Sequence, residues 1–144
     1  MDPVRGILYA AREIPAALVE SFQGGRLIDR SHEAPWLVAF ELELDTPLLD
    51  LRGAWPTRAG ASQAIATGPH RRAQAWSREF YAAYPTLVGV AYPSAMAGGL
   101  TNVALFERAI DHLAARPRLH MPLNHPGLEP ALNRMAATVN YDLR

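Results

Sequence analysis

Residues 36–44 read WLVAFELEL, with an apolar side chain at every second position. Trp36, Val38, Phe40, Leu42 and Leu44 fall on one side and Glu41 and Glu43 on the other, which predicts a strand with one buried and one wet face. Asp45-Thr46-Pro47 interrupts the pattern, and residues 48–51 resume it as a second strand. A helical spacing governs residues 14–23. Ile14, Ala17, Leu18, Ser21 and Phe22 recur at intervals of three and four as the core face, Pro15 opens the helix, and Gly24-Gly25 stops it. Glu20 lies roughly opposite Leu18, about 200° around at ~100° per residue, and so faces solvent or a cleft.

Upstream, residues 4–10 form a short predicted strand with Tyr9 near its end. Residues 71–84 make a stronger helix, with Ala73, Trp76, Phe80 and Ala83 at spacings of three and four and Pro85 at its end. Between them, residues 53–68 read as loop, helical turn and loop, punctuated by Pro56, Gly60 and Gly68. Residues 87–92 are an apolar strand bounded by Pro93, and Ala97-Gly98-Gly99 is a loop. Residues 103–106 fit strand or helix, because four apolar residues do not decide between them. A helix over 108–116, a short run over 118–123 and a final helix over 128–139 complete the order. Without repeats or heptads, this interleaving predicts a mixed α and β domain.

The chain of 144 residues is 49% hydrophobic, the length of one domain with enough apolar mass for a core, and one domain over 1–144 is expected. Fourteen basic residues, all Arg, balance fourteen acidic ones, so no global field draws the protein to nucleic acid or an anionic membrane. The lack of Lys excludes a Schiff-base lysine and a Walker A loop, and the lack of Cys excludes disulfides, thiolate catalysis and cysteine-ligated zinc. No segment has the form of a secretion signal or approaches the roughly 20 apolar residues of a membrane span, so a cytoplasmic location is expected.

Two apolar stretches carry isolated polar residues: 7–22 with Tyr9 and Glu20, and 88–108 with Ser94 and Asn102. Singly each has a plain explanation. Glu20 suits a solvated helix face, Tyr9 suits strand packing, and Ser94 and Asn102 suit turns. Together they place polar groups near strand ends beside flexible glycines, where sites collect. His120, His125 and Glu129 match no common zinc spacing, and no metal is expected. His70-Arg71-Arg72, at a helix start, has phosphate binding or plain solvation as its readings.

These residues, in their order, resemble the RES domain family of NAD-consuming toxins. The likeness rests on Leu8-Tyr9-Ala10, then Ala16-Ala17-Leu18-Val19-Glu20, then Tyr92-Pro93-Ser94, then the run from Gly98-Gly99 through Asn102 to Ala104-Leu105-Phe106-Glu107. Leu48-Leu49-Asp50-Leu51 and Arg72-Ala73-Gln74-Ala75-Trp76 stand where the family has a similar strand and a Trp-bearing helix, so the likeness covers residues 5–125. It implies an α+β, ADP-ribosyltransferase-like fold of small packed sheets around an NAD cleft. It also implies that Glu20 is the catalytic glutamate and Ser94 the serine of the pocket, with Tyr9 and Asn102 contacting NAD, the substrate. A further implied partner is a helix-turn-helix (Xre-type) antitoxin; oligomeric state, homo-oligomer included, stays open. The arginine of the family's name precedes the tyrosine strand, and the chain is expected to be short there, with Arg5, Arg12 or Arg26 as substitutes. The rivals are a catalytically silent binding domain of the same fold and a hydrolase that pairs Ser94 with a histidine. The leading reading requires that folding bring Glu20 within a few ångströms of Ser94.

Overall fold

The structure, a computed structural model, describes residues 6–61 and 70–144, the side chains of 70–73 excepted. Along it run β1 (Ile7–Ala11), α1 (Ile14–Ser21), β2 (Leu27–Ile28), β3 (Trp36–Ala39), β4 (Leu48–Asp50), α2 (Trp55–Arg58), α3 (His70–Ala83), β5 (Gly89–Pro93), β6 (Thr101–Phe106), β7 (Leu119–Pro122), α4 (Glu129–Val139) and β8 (Asp142–Leu143). Turns of 3-10 helix occupy Glu107–His112 and Pro126–Leu128. The main sheet has the order β1-β6-β5-β4, with β4 parallel to β5 and the other pairs antiparallel. Two ribbons stand beside it, β2 with β8 and β3 with β7. This is an α+β fold of small sheets and surrounding helices. Among the described residues no helix is long and apolar enough to cross a membrane.

β5 and β6 are central because both of their faces are covered. The register opposes Tyr9 to Ala104 to Val90, and Ala11 to Asn102 to Tyr92, so these residues share one face. On that face Val90, Ala104 and Phe106 meet Leu51 and Phe80, with Trp55, Trp76 and Tyr81 around them. The opposite face sets Leu105 against Val88, Ala109, Phe40 and Leu42. Gly89 is demanded by close approach, since a Cβ there would lie 2.5 Å from the Ala104 carbonyl oxygen. A second core joins Leu18 and Val19 of α1 to Leu132 and Ala136 of α4, with Ile28, Leu123 and Tyr141. In α1 the buried residues are Ala16, Leu18 and Val19, while Ser21, expected on the core face, is exposed.

The strand expected over 36–44 ends at Ala39, and its buried side is the reverse of the prediction. Trp36 and Val38 are 53% and 46% exposed, while Leu37 packs on the α1–α4 core. The chain breaks out of the ladder after Ala39, the alternation loses its phase, and Phe40 and Leu42 then reach the other core. Residues 103–106 are strand, extended back to Thr101. The helix expected over 108–116 is only the 3-10 turn, because the backbone there is recruited to a bridge between Leu42 and Leu113. The Ala114 N–H donates to the Glu41 carbonyl at 3.0 Å and the Glu43 N–H to His112 at 3.0 Å.

The end of α3 is closed by Arg108. Its guanidinium lies 3.5 Å from the centre of the Tyr81 ring and donates to the carbonyls of Tyr81 at 2.9 Å, Tyr84 at 3.2 Å and Pro85. Arg108→Met is expected to lower the unfolding free energy by about 2 kcal/mol, read as a lower urea midpoint at unchanged slope. A midpoint equal to that of the wild type contradicts this role.

Candidate active site

β6 runs against both of its neighbours, so its start shares one sheet edge with the ends of β1, β5 and β4. Polar residues at these four termini are thereby gathered, although the sequence scatters them over some fifty to ninety positions. α1 leaves the end of β1 directly and carries Glu20 back over this edge.

Glu20 is bound there by two donors. The Ser94 hydroxyl donates to Glu20 Oε1 at 2.7 Å, and Asn102 Nδ2 donates to the same oxygen at 2.9 Å. Ser94 and Asn102 are 7% and 5% exposed, so these are charge-assisted bonds made away from water. Both fall on Oε1. Among the described residues Glu20 Oε2 receives no hydrogen bond, and the buried Asn102 Oδ1 has no partner.

Ser94 owes its direction to its own loop. Its N–H donates to the Leu100 carbonyl at 2.9 Å, and its Oγ accepts from the N–H groups of Met96 at 3.2 Å and Ala97 at 3.0 Å. With its lone pairs engaged by the backbone, the hydroxyl turns its proton to Glu20. Gly99, at φ 80°, allows the tight return from Ala97 to Leu100 that this geometry needs.

Tyr9 and Tyr92 stand on the same sheet face as Asn102. Tyr9 is 55% exposed and free to meet a ligand, while Tyr92 is half-buried. Burial, then the Glu20 charge and Tyr9, push the Tyr92 phenol up to about 12, so it stays a neutral donor at neutral pH. Sequence reasoning did not select Tyr92. Its position two residues before Ser94, hence on the same side of the strand, was the available signal.

The sheet edge holds a second cluster that sequence reasoning also missed. Arg52 Nε and Nη2 donate to Asp50 at 2.8 Å and 3.0 Å, and Nη1 donates to Thr101 Oγ1 at 3.2 Å. These bonds hold the Asp50 carboxyl below the usual carboxylate range and the guanidinium above its own. Glu13 Oε2 accepts from the Thr101 N–H at 3.2 Å.

Of the expected site residues, Glu20, Ser94 and Asn102 are in direct contact and Tyr9 shares their face. Arg5 lies outside the described residues, as do the side chains of His70, Arg71 and Arg72. Arg12 is exposed, and Arg26 is exposed past α1 with left-handed backbone at φ 49°. Among the described residues no histidine bonds to the Ser94 hydroxyl, which gives the serine–histidine hydrolase no support. His120 stacks on Trp36 with ring centres 4.6 Å apart, and His125 Nδ1 accepts from the Gly127 N–H at 3.0 Å.

The RES domain matches residues 2–126, and the chain belongs to the RES domain family, which is linked to NAD-related toxin function. Neither a curated protein nor a solved structure matches the chain. α4 and β8 follow the matched residues, yet α4 packs on the helix that carries Glu20.

The Tyr92 environment sets a pH dependence. Its folded value lies above the unfolded one of about 10, so the stabilising contribution is complete below about pH 10 and disappears as pH rises toward 12. Phenolate absorbance of Tyr92→Phe is expected to lack the highest-pH step of the wild type, and the variant to lose less stability over that interval. Identical titrations contradict the burial of this phenol beside Glu20.

Proposed function

We propose that the protein consumes NAD by breaking the bond between nicotinamide and ribose, in an ADP-ribosyltransferase-like cleft, and passes the ADP-ribosyl group to water, phosphate or a protein side chain. The carrying observation is the Glu20 carboxylate, bonded through Oε1 to two buried donors and, among the described residues, without a hydrogen bond at Oε2. As the C1′–N bond lengthens, its electrons leave with neutral nicotinamide and positive charge grows on the ribose. A fixed carboxylate stabilises that charge because its dipoles need not reorganise during the reaction. In this reading Oε1 is the anchor and Oε2 faces the ribose.

Each neighbour then has a task. Tyr9 stacks on the cationic nicotinamide ring, an interaction of roughly 0.5–2 kcal/mol. Ser94, with its proton directed at Glu20, orients the carboxylate rather than attacking the substrate. Asn102 Oδ1, without a partner among the described residues, suits a hydroxyl or amide donor from the substrate, since leaving a buried acceptor open costs about 1–3 kcal/mol. A helix-turn-helix antitoxin that holds the enzyme inactive belongs to the same reading.

Purified protein incubated with NAD is expected to release nicotinamide, followed by proton NMR. Glu20→Gln should slow this by roughly 10³-fold, and Ser94→Ala by about 10- to 100-fold. Turnover by Glu20→Gln at the wild-type rate sinks the proposal, and NAD binding without turnover in the wild type favours a silent binding domain.

A further inference from the structure

We infer that Arg52 is a positioning residue for this site, acting through Thr101 on the Asn102 amide that grips Glu20. The catalytic part of the inference rests on the NAD-consuming reading, whereas the structural part does not. Arg52 follows β4, and its side chain passes the end of β5 to reach β6, two strands away. Two of its nitrogens are forked onto the Asp50 carboxylate, whose Oδ1 also accepts the Arg52 N–H at 2.9 Å. Because a guanidinium is planar, fixing that fork fixes the heading of Nη1, which donates to Thr101 Oγ1 at 3.2 Å.

Thr101, 7% exposed, is held from its other side by the turn from β1 into α1. Its carbonyl accepts the Arg12 N–H at 2.9 Å, continuing the ladder. Where the chain then departs into α1, the Glu13 carboxylate replaces the missing strand carbonyl and takes the Thr101 N–H at 3.2 Å. The start of β6 is therefore pinned between the β4 side and the base of α1. The next residue, Asn102, sends its amide to Glu20 one helix length along α1 from Glu13. One chain of bonds thus sets both ends of the Asn102–Glu20 contact.

Arg52 is a poor grip for a pyrophosphate. Asp50 occupies its fork, and the negative charge of Glu13 also acts on it, so the neighbourhood carries no excess of positive charge. A clamp and a grip therefore differ in what their loss changes.

The test uses the full chain with Arg52→Met, Thr101→Val and the double variant, and Arg118→Met, from the exposed Arg118–Glu41 pair, as a control. The expected result is a kcat for NAD consumption lowered by roughly 10- to 100-fold in both single variants, with KM within about two-fold of wild type. The double variant should be no worse than Arg52→Met, since both changes cut the same bond chain. Independently of activity, ¹H–¹⁵N NMR is expected to find the Asn102 side-chain amide slow to exchange in the wild type and fast in both variants. Thr101→Val removes only the acceptor hydroxyl and serves if Arg52→Met fails to fold. Protected Asn102 protons in a folded variant overturn the inference, as does a raised KM with unchanged kcat, the sign of a phosphate grip. If the wild type consumes no NAD, the proposed function falls and the amide exchange alone decides the role of Arg52.

Discussion

A carboxylate on one helix and two buried donors at the sheet edge beneath it, one on β6 and one in the loop after β5, hold each other in place. Glu20 is 74 residues from Ser94 and 82 from Asn102, and neither donor would be stable in its nearly water-free position without an acceptor. The acceptor in turn is held at one oxygen by both donors, which fixes its heading. Removing the Glu20 carboxylate leaves both buried donors without this acceptor, which is more costly than the mean worth of the bonds. The sheet edge, the Ser94 loop and the seat of α1 all serve this contact.

The seat of α1 extends to the end of the chain. Leu18 and Val19, which flank the Glu20 turn, pack on α4, and the Tyr141 hydroxyl donates to the Val19 carbonyl at 3.3 Å. Beyond it, β8 pairs with β2, and the terminal Arg144 side chain donates to Asp29. Asp29 also accepts the N–H groups of His32 and Ser31, and these bonds with that of Arg144 hold its carboxyl far below the ordinary range. Residues outside the family match therefore anchor the helix from behind, while the strand termini hold its acidic side chain from in front.

What was legible in the sequence was local. α3 and α1 follow from spacings of three and four, and β4 and β5 from short apolar runs between turn residues. The buried side of β3 was not legible, because alternation carries a phase only as long as the strand lasts, and nothing local announces the break after Ala39. Nor was the fate of residues 108–116, where the Ala114 N–H and the His112 carbonyl are claimed by Glu41 and Glu43 across the fold. The two-residue strands β2 and β8 leave no periodic trace at all. In the site, Glu20, Ser94 and Asn102 were legible through the order of short motifs. The Asp50–Arg52–Thr101–Glu13 cluster was not, because its members are ordinary surface residue types brought together only by the strand order β1-β6-β5-β4. Arg5, Arg12 and Arg26 were the arginines that the sequence put forward, whereas the one bonded at the sheet edge is Arg52, just after β4.

The most direct measurement is a crystal structure of the Glu20→Gln protein soaked with NAD. The account predicts the nicotinamide riboside at the edge formed by the ends of β1 and β5 and the start of β6. C1′ should lie within contact distance of the residue-20 side chain, the nicotinamide ring against Tyr9, and the Ser94 and Asn102 contacts should be kept. NAD bound away from that edge, or bound there with its ribose turned from residue 20, would contradict it.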